Sequence, residues 1–103
     1  MQLKNRIHNK VLYISLEGEL DECTAEYTRI NMDKMMTTAA GVMRIVIDLA
    51  NLQFMDSTGI GVLIGRYKKM KDKNIPIYIA NPSNQAERIF KMTGLYTIMP
   101  KIS

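Results

Sequence analysis

Apolar positions change their period several times along the chain, and each change marks an element. Leu3 to His8 reads as a first strand and Asn9-Lys10 as its turn. Val11 to Leu16 alternates and is rich in β-formers, so the pair predicts an antiparallel hairpin. The period then lengthens. Asp21 to Thr24 opens a helix in which Ala25, Thr28, Met32, Met35, Met36 and Ala39 recur at spacings of three and four, with Gly41 just past its end. Met43 to Leu49 is a near-continuous apolar run, as in a strand covered on both faces. Asn51-Leu52-Gln53 reads as a connection. The next helix runs from about Ser57 to Lys73, with Ile60, Leu63, Ile64, Tyr67 and Met70 as its apolar stripe.

Ile75 to Ala80 is a further strand, with Pro76 near its start, where a missing donor is tolerated. Asn81-Pro82-Ser83 is a turn and cap. Gln85 to Thr93 is a short helix with Ile89, Phe90 and Met92 facing inward, closed by Gly94, and Ile98-Met99 forms a last short strand. The order ββαβαβα(β) predicts an α/β fold with a mixed sheet of four to five strands packed with three to four helices.

One hundred and three residues fit one domain with one modest core. An apolar content of 47% places the chain among folded proteins. One cysteine, Cys23, and one histidine, His8, allow neither a disulfide framework nor metal-ligand spacing, which fits a reducing compartment. Met1 to Lys10 has no apolar leader segment and no run approaches spanning length, so the expected location is cytoplasmic, with no membrane partner.

The net charge of +4 is unevenly spread. Residues 17–33 hold Glu17, Glu19, Asp21, Glu22, Glu26 and Asp33 against Arg29 alone. Residues 66–73 hold Arg66, Lys68, Lys69, Lys71 and Lys73 against Asp72. A basic helix raises nucleic acid as a partner. No aromatic residues are interleaved with it as a stacking platform, Tyr67 belonging to the apolar stripe, so it reads as a solvated outer face and no direct nucleic-acid contact is expected.

Candidate chemistry concentrates at Asp56-Ser57-Thr58-Gly59, where a loop becomes a helix. Backbone N–H groups are unpaired at such a start and the helix dipole favours a negative group, so a phosphate on Ser57 is tolerated there. A plain capping role for Ser57 fits the same spacing. A nucleophile elbow fails, because Met55 stands where glycine is needed and no base is near. Neither a phosphate-binding loop nor a GxGxxG fingerprint fits Gly59, Gly61 and Gly65, which argues against nucleotide hydrolysis. Three glycines in one helix cost roughly 1 kcal/mol each, which calls for close approach by the sheet or by a partner. Asp21, Asp48 and Asp56 follow or end strands; a divalent-metal site is conceivable, caps are the simpler reading, and neither metal nor cofactor is expected.

Gly18-Glu19-Leu20-Asp21, Thr24-Ala25-Glu26, the run from Phe54 to Leu63, Gly65-Arg66-Tyr67-Lys68 and Met92-Thr93-Gly94-Leu95 resemble, in order and spacing, the STAS-domain anti-sigma factor antagonists. The likeness runs from about Leu3 to Met99 and is nearer to the sporulation branch, which acts on an anti-sigma F factor, although Asp-Ser-Thr-Gly is shared with the general-stress branch. It implies a single STAS domain over residues 1–103 and a partner-switching protein that is not an enzyme. It further implies that the unphosphorylated form binds an anti-sigma factor serine kinase of the GHKL ATPase class and frees a sigma factor. The kinase phosphorylates Ser57, with Thr58 the weaker candidate, and a PP2C-type phosphatase reverses the step. Asp21, Asp56, Ser57, Thr58, Gly59 and Gly61 form the expected partner surface of a protein that is monomeric when free. Glu22 and Cys23 depart from the pattern, and the chain ends soon after Met99. The alternative is a STAS subunit of a transport or scaffold complex without a phospho-switch.

Overall fold

The computed structural model describes residues 1–102 and opens on the expected hairpin. Strands β1 (Gln2–His8) and β2 (Val11–Leu20) pair antiparallel in unbroken register. Asn9 and Lys10 between them both take positive φ, 50° and 64°, the signature of a primed turn whose twist matches the strands it joins. Then follow α1 (Ala25–Thr38), β3 (Arg44–Asp48), β4 (Leu52–Met55), α2 (Ser57–Lys71), β5 (Ile77–Ala80), α3 (Asn84–Thr93) and one 3-10 turn (Leu95–Thr97).

The five strands form one mixed sheet in the order β1-β2-β3-β5. Every pairing except β1 with β2 is parallel. Strand β2 changes partner along its length: Val11 to Ser15 pair with β3, and Gly18 to Leu20 pair with β4. The change falls at an irregularity beside Gly18, whose φ of 114° suits glycine alone. This explains two differences from the expected elements. Strand β2 runs four residues past Leu16, and the segment expected as a connection after Asn51 is strand β4. Its buried residues, Leu52 and Met55, are three apart, so no period of two exposes it to pattern reading.

All three helices pack on one face of the sheet. Leu12, Ile14, Leu16, Ile45, Ile47, Ile77 and Ile79 meet Met32, Met36, Ile60, Val62, Leu63, Met70 and Phe90 in a single core. The opposite face holds a small cluster from strands alone, Val11, Val46 and Ala80 with Tyr13 and Tyr78. Met92 was expected inside and is 83% exposed. It lies two residues after the buried Phe90, about 200° round the helix. The expected strand at Ile98-Met99 is absent. Met99 is buried after the 3-10 turn, and the next residues make a lone parallel bridge, Ile79 with Lys101. Ile79 N–H donates to the Pro100 carbonyl (2.9 Å) and Ile102 N–H donates to the Ile79 carbonyl (2.9 Å).

Arg66 departs from the solvated basic face expected of its segment, being 4% exposed. It crosses to α1, where its Nε lies 2.9 Å from Asp33 Oδ1. The N–H is not aimed at that oxygen and Nη1 has no partner, so charge holds the contact and directed hydrogen bonding does not. Lys69 Nζ donates to Asp33 Oδ2 at 2.8 Å. Burial lowers the Arg66 pKa, Asp33 opposes that shift, and Arg29 adds to it. A buried charge that loses its partner is costly, whereas removal of the buried Arg66 itself leaves only Asp33, which is partly exposed and keeps Lys69. Asp33→Ala is therefore expected to lower unfolding free energy by about 2 kcal/mol, below the range for fully buried pairs because Asp33 is partly exposed. Arg66→Met is expected to stay within about 1 kcal/mol of the parent. Urea denaturation of both variants measures this, and equal losses would assign the stabilisation to packing.

Candidate functional site

The start of α2 is organised by Asp56. Its backbone is extended, and its Oδ1 accepts from the N–H groups of Thr58 (3.0 Å) and Gly59 (3.2 Å). The cap is thus Asp56, and the capping role open for Ser57 is excluded. Ser57 is the first helical residue and exposed, and its hydroxyl has no hydrogen bond among the described residues. Thr58 is half-buried. Two of the orphan N–H groups that were expected to receive a phosphate are already taken by the Asp56 carboxylate.

Two neighbours hold this turn in place. Asp56 N–H donates to the Leu20 carbonyl at 3.3 Å. Gly59 then packs so closely on the strand ends that an added Cβ would lie 2.5 Å from Met55 Cγ, 3.0 Å from Leu20 Cγ and 3.1 Å from the Leu20 carbonyl oxygen. From α3, Gln85 grips the backbone of Met55 on both sides: Met55 N–H donates to Oε1 (3.2 Å) and Nε2 donates to the Met55 carbonyl (2.6 Å). Pattern reading missed Gln85, because a glutamine in a first helical turn looks like any polar surface residue. The helix that buries Phe90 aims it.

The Asp21 loop adjoins this turn. β2 and β4 are parallel with Leu20 beside Met55, so both loops leave the same end of the sheet, where binding sites of such folds collect. Asp21 Oδ1 accepts from the N–H groups of Cys23 (2.9 Å) and Thr24 (3.2 Å), Asp21 N–H donates to Thr24 Oγ1 (3.1 Å), and that hydroxyl donates to the Glu19 carbonyl (2.8 Å). Asp48 serves a third turn, accepting from Ala50 N–H (3.0 Å) and Asn81 Nδ2 (3.1 Å). The three carboxylates cap separate turns, and the described residues contain no group of three or more metal-ligating side chains. His8 pairs with Val11, at the far end of β2 from Leu20.

Two features of the surface bear on chemistry. Residues 19–26 and 54–65 supply Glu19, Asp21, Glu22, Glu26 and Asp56 and no lysine or arginine, so the two segments that meet at this turn are acidic. The three helix glycines also differ. Gly59 is required by the sheet beneath it, whereas a Cβ on Gly61 or Gly65 would meet nothing within 4 Å.

A sequence profile of the STAS domain matches residues 2–103. The anti-sigma F factor antagonist of Paenibacillus polymyxa is 38% identical over 100 residues, spanning 97% of this chain and 85% of the relative. The structure of the anti-sigma factor antagonist SpoIIAA in its unphosphorylated form superposes with a TM-score of 0.80 at 25% identity, over 99% of this chain and 89% of that one. The Bacillus cell fate determinant SpoIIAA in the phosphorylated form superposes with a TM-score of 0.73 at 26% identity, over 99% and 92%.

The contrast among the glycines sets an expectation for stability. Gly59→Ala should destabilise the domain by about 1–3 kcal/mol, because Met55 and the Leu20 backbone must move. Gly61→Ala should stabilise it by about 0.5–1 kcal/mol, since an exposed helical glycine is replaced without a clash. Thermal unfolding of the two variants measures the difference. A loss of stability in Gly61→Ala would show that the fold itself needs that glycine.

Proposed function

We propose that this chain, which belongs to the STAS-domain family, is an anti-sigma factor antagonist switched by phosphorylation of Ser57. One observation carries the reading: Ser57 presents an exposed, unbonded hydroxyl on a helix start that Asp56 has already capped. The fold does not use that hydroxyl, so it is free to be modified. Two solved states of a similar protein, unphosphorylated and phosphorylated SpoIIAA, support the reading. The likeness to an antagonist named for anti-sigma F factor supports it further.

The partner is proposed to be an anti-sigma factor of the GHKL ATPase class that binds the unphosphorylated chain and is also its kinase, with a PP2C-type phosphatase restoring the free hydroxyl. The surface it meets comprises Asp21, Asp56, Ser57, Thr58, Gly59 and Gly61. Within it, Asp21, Asp56 and Gly59 also shape the backbone. Gly61 serves no contact of its own fold, which supports close approach by a partner. The chain does no chemistry itself in this reading and works in the cytoplasm; among the described residues no helix is long and apolar enough to cross a membrane.

Phosphate adds about −1.5 to −2 charges at neutral pH. In water beside α2 it is hydrated, and the helix dipole offsets part of its repulsion from Asp56. Inside an interface it loses that hydration beside two acidic segments that carry no lysine or arginine. The switch therefore acts on association and leaves the fold nearly unchanged.

Incubation with candidate GHKL-type kinases and ATP, followed by mass spectrometry, is expected to place one phosphate on Ser57. Ser57→Ala should abolish it and Thr58→Ala should retain it; phosphate on Thr58 alone would move the assignment by one residue. Ser57→Asp should weaken kinase binding at least tenfold in calorimetry and shift the thermal midpoint by less than about 4 °C, corresponding to under 1 kcal/mol. Asp21→Asn keeps an oxygen to accept from Cys23 and Thr24, so a loss of binding there reports charge and not an unravelled turn.

A further inference from the structure

The two edges of the sheet are treated differently. The β5 edge is covered by the chain's own residues Pro100 to Ile102 through two hydrogen bonds to Ile79. Among the described residues, the β1 edge has no strand beyond it. It is seven residues long, in unbroken register with β2, and contains no proline or bulge. Short length, proline and bulges are the usual protections of an exposed edge, and the remaining one is charge. Alternate residues put Lys4, Arg6 and His8 on the helix-free face, beside Ser15, Tyr13 and Val11. The other face of the strand carries Leu3 and Ile7, the latter 53% exposed.

We propose that β1 is a docking edge for an extended segment of another protein whose side chains alternate between acidic and apolar. The backbone of β1 supplies the ladder, since alternate residues turn their N–H and C=O groups outward. Charge selects the occupant. On the helix-free face, glutamate or aspartate at every second position would stand beside Lys4 and Arg6, and opposite charges across a ladder are favourable. Lys4 is 63% exposed and its one ion pair, to Glu17 at 3.3 Å, leaves it free to share. Arg6 lies over the Tyr13 ring, 4.2 Å from its centroid, which holds the guanidinium on the helix-free side of β1. On the helix face, an apolar side chain would cover Ile7.

A second copy of the chain does not fit. Antiparallel pairing of two β1 strands about Asn5 sets Lys4 of each against Arg6 of the other and His8 against Gln2, and like charges directly opposite oppose pairing. The edge therefore rejects itself and accepts the opposite sign. β1 pairs with β2 only as far as Glu17, whereas β4, which leads into the Ser57 turn, pairs with Gly18 to Leu20, so the test stands whether or not Ser57 is phosphorylated.

The probe is a seven-residue peptide alternating glutamate and valine, blocked at both ends, with a lysine–valine peptide as control. Titration into the full chain by fluorescence anisotropy should show the acidic peptide binding at least tenfold more tightly. Amide exchange by NMR should show new protection at alternate residues of β1 and none in the Ser57 turn. Lys4→Glu combined with Arg6→Glu should reverse the preference, with circular dichroism checking the fold. Should that variant fail to fold, loss of the parent's preference between 50 mM and 500 mM salt serves instead. Equal binding of the two peptides, no binding at millimolar concentration, or protection confined to the Ser57 turn would overturn the proposal.

Discussion

The junction of Leu20 with the start of α2 is the constraint on which the site depends. The Leu20 carbonyl takes the Asp56 N–H, and the Leu20 side chain and backbone lie against Gly59. Because β2 and β4 run parallel there, one residue fixes both where α2 begins and where the Asp21 loop leaves. A side chain at position 59 would force the helix off the strand ends and separate the two loops. Gln85 adds a second anchor from α3 on the preceding residue, Met55. The turn is thus held from the sheet and from a helix, while its outward residue, Ser57, is left unengaged.

In the proposed switch, that division of labour would let one group on Ser57 change binding without changing the fold. If Ser57 were the cap, its modification would remove two backbone hydrogen bonds and loosen the first turn of α2. Asp56 makes those bonds instead, and a carboxylate accepts from N–H groups more strongly than a hydroxyl does. On the proposed reading, the cost of a phosphate on Ser57 would be deferred to the moment a partner excludes water. The acidic residues from Glu19 to Glu26 and at Asp56 would add to that cost.

Much of this was legible in the sequence, and the failures share a cause. The hairpin turn at Asn9-Lys10, the buried face of α1, the cap at Ser83 and the closing Gly94 follow from local chemistry and appear as expected. The placement of Asp21 near Ser57 was also readable, because parallel neighbours must open at the same end. Strand β4 was not. Four residues with burial at both ends carry no period, and only pairing with the bent end of β2 makes them a strand. Arg66 and Gln85 were missed for a related reason. A long polar side chain is read as solvated unless its tertiary partner is known, and the partners here are 33 and 30 positions away, Asp33 and Met55.

Arg66 also bears on why α2 can carry glycines that its own packing does not require. Gly61, exposed in the second turn of α2, and Gly65, half-buried one turn on, each weaken the helix by roughly 1 kcal/mol relative to alanine. Downstream, Arg66 and Lys69 converge on Asp33 and tie α2 to α1, while Val62, Leu63 and Met70 bury its inner face. Intrinsic propensity contributes little to a helix so held, since packing of the apolar face supplies most of its stability. The outer face is thereby released from the need for helix-forming side chains and can stay flat beside Ser57. The buried arginine and the bare glycines are two sides of one arrangement, in which the inner contacts of α2 secure the helix and its outer surface is left to a partner.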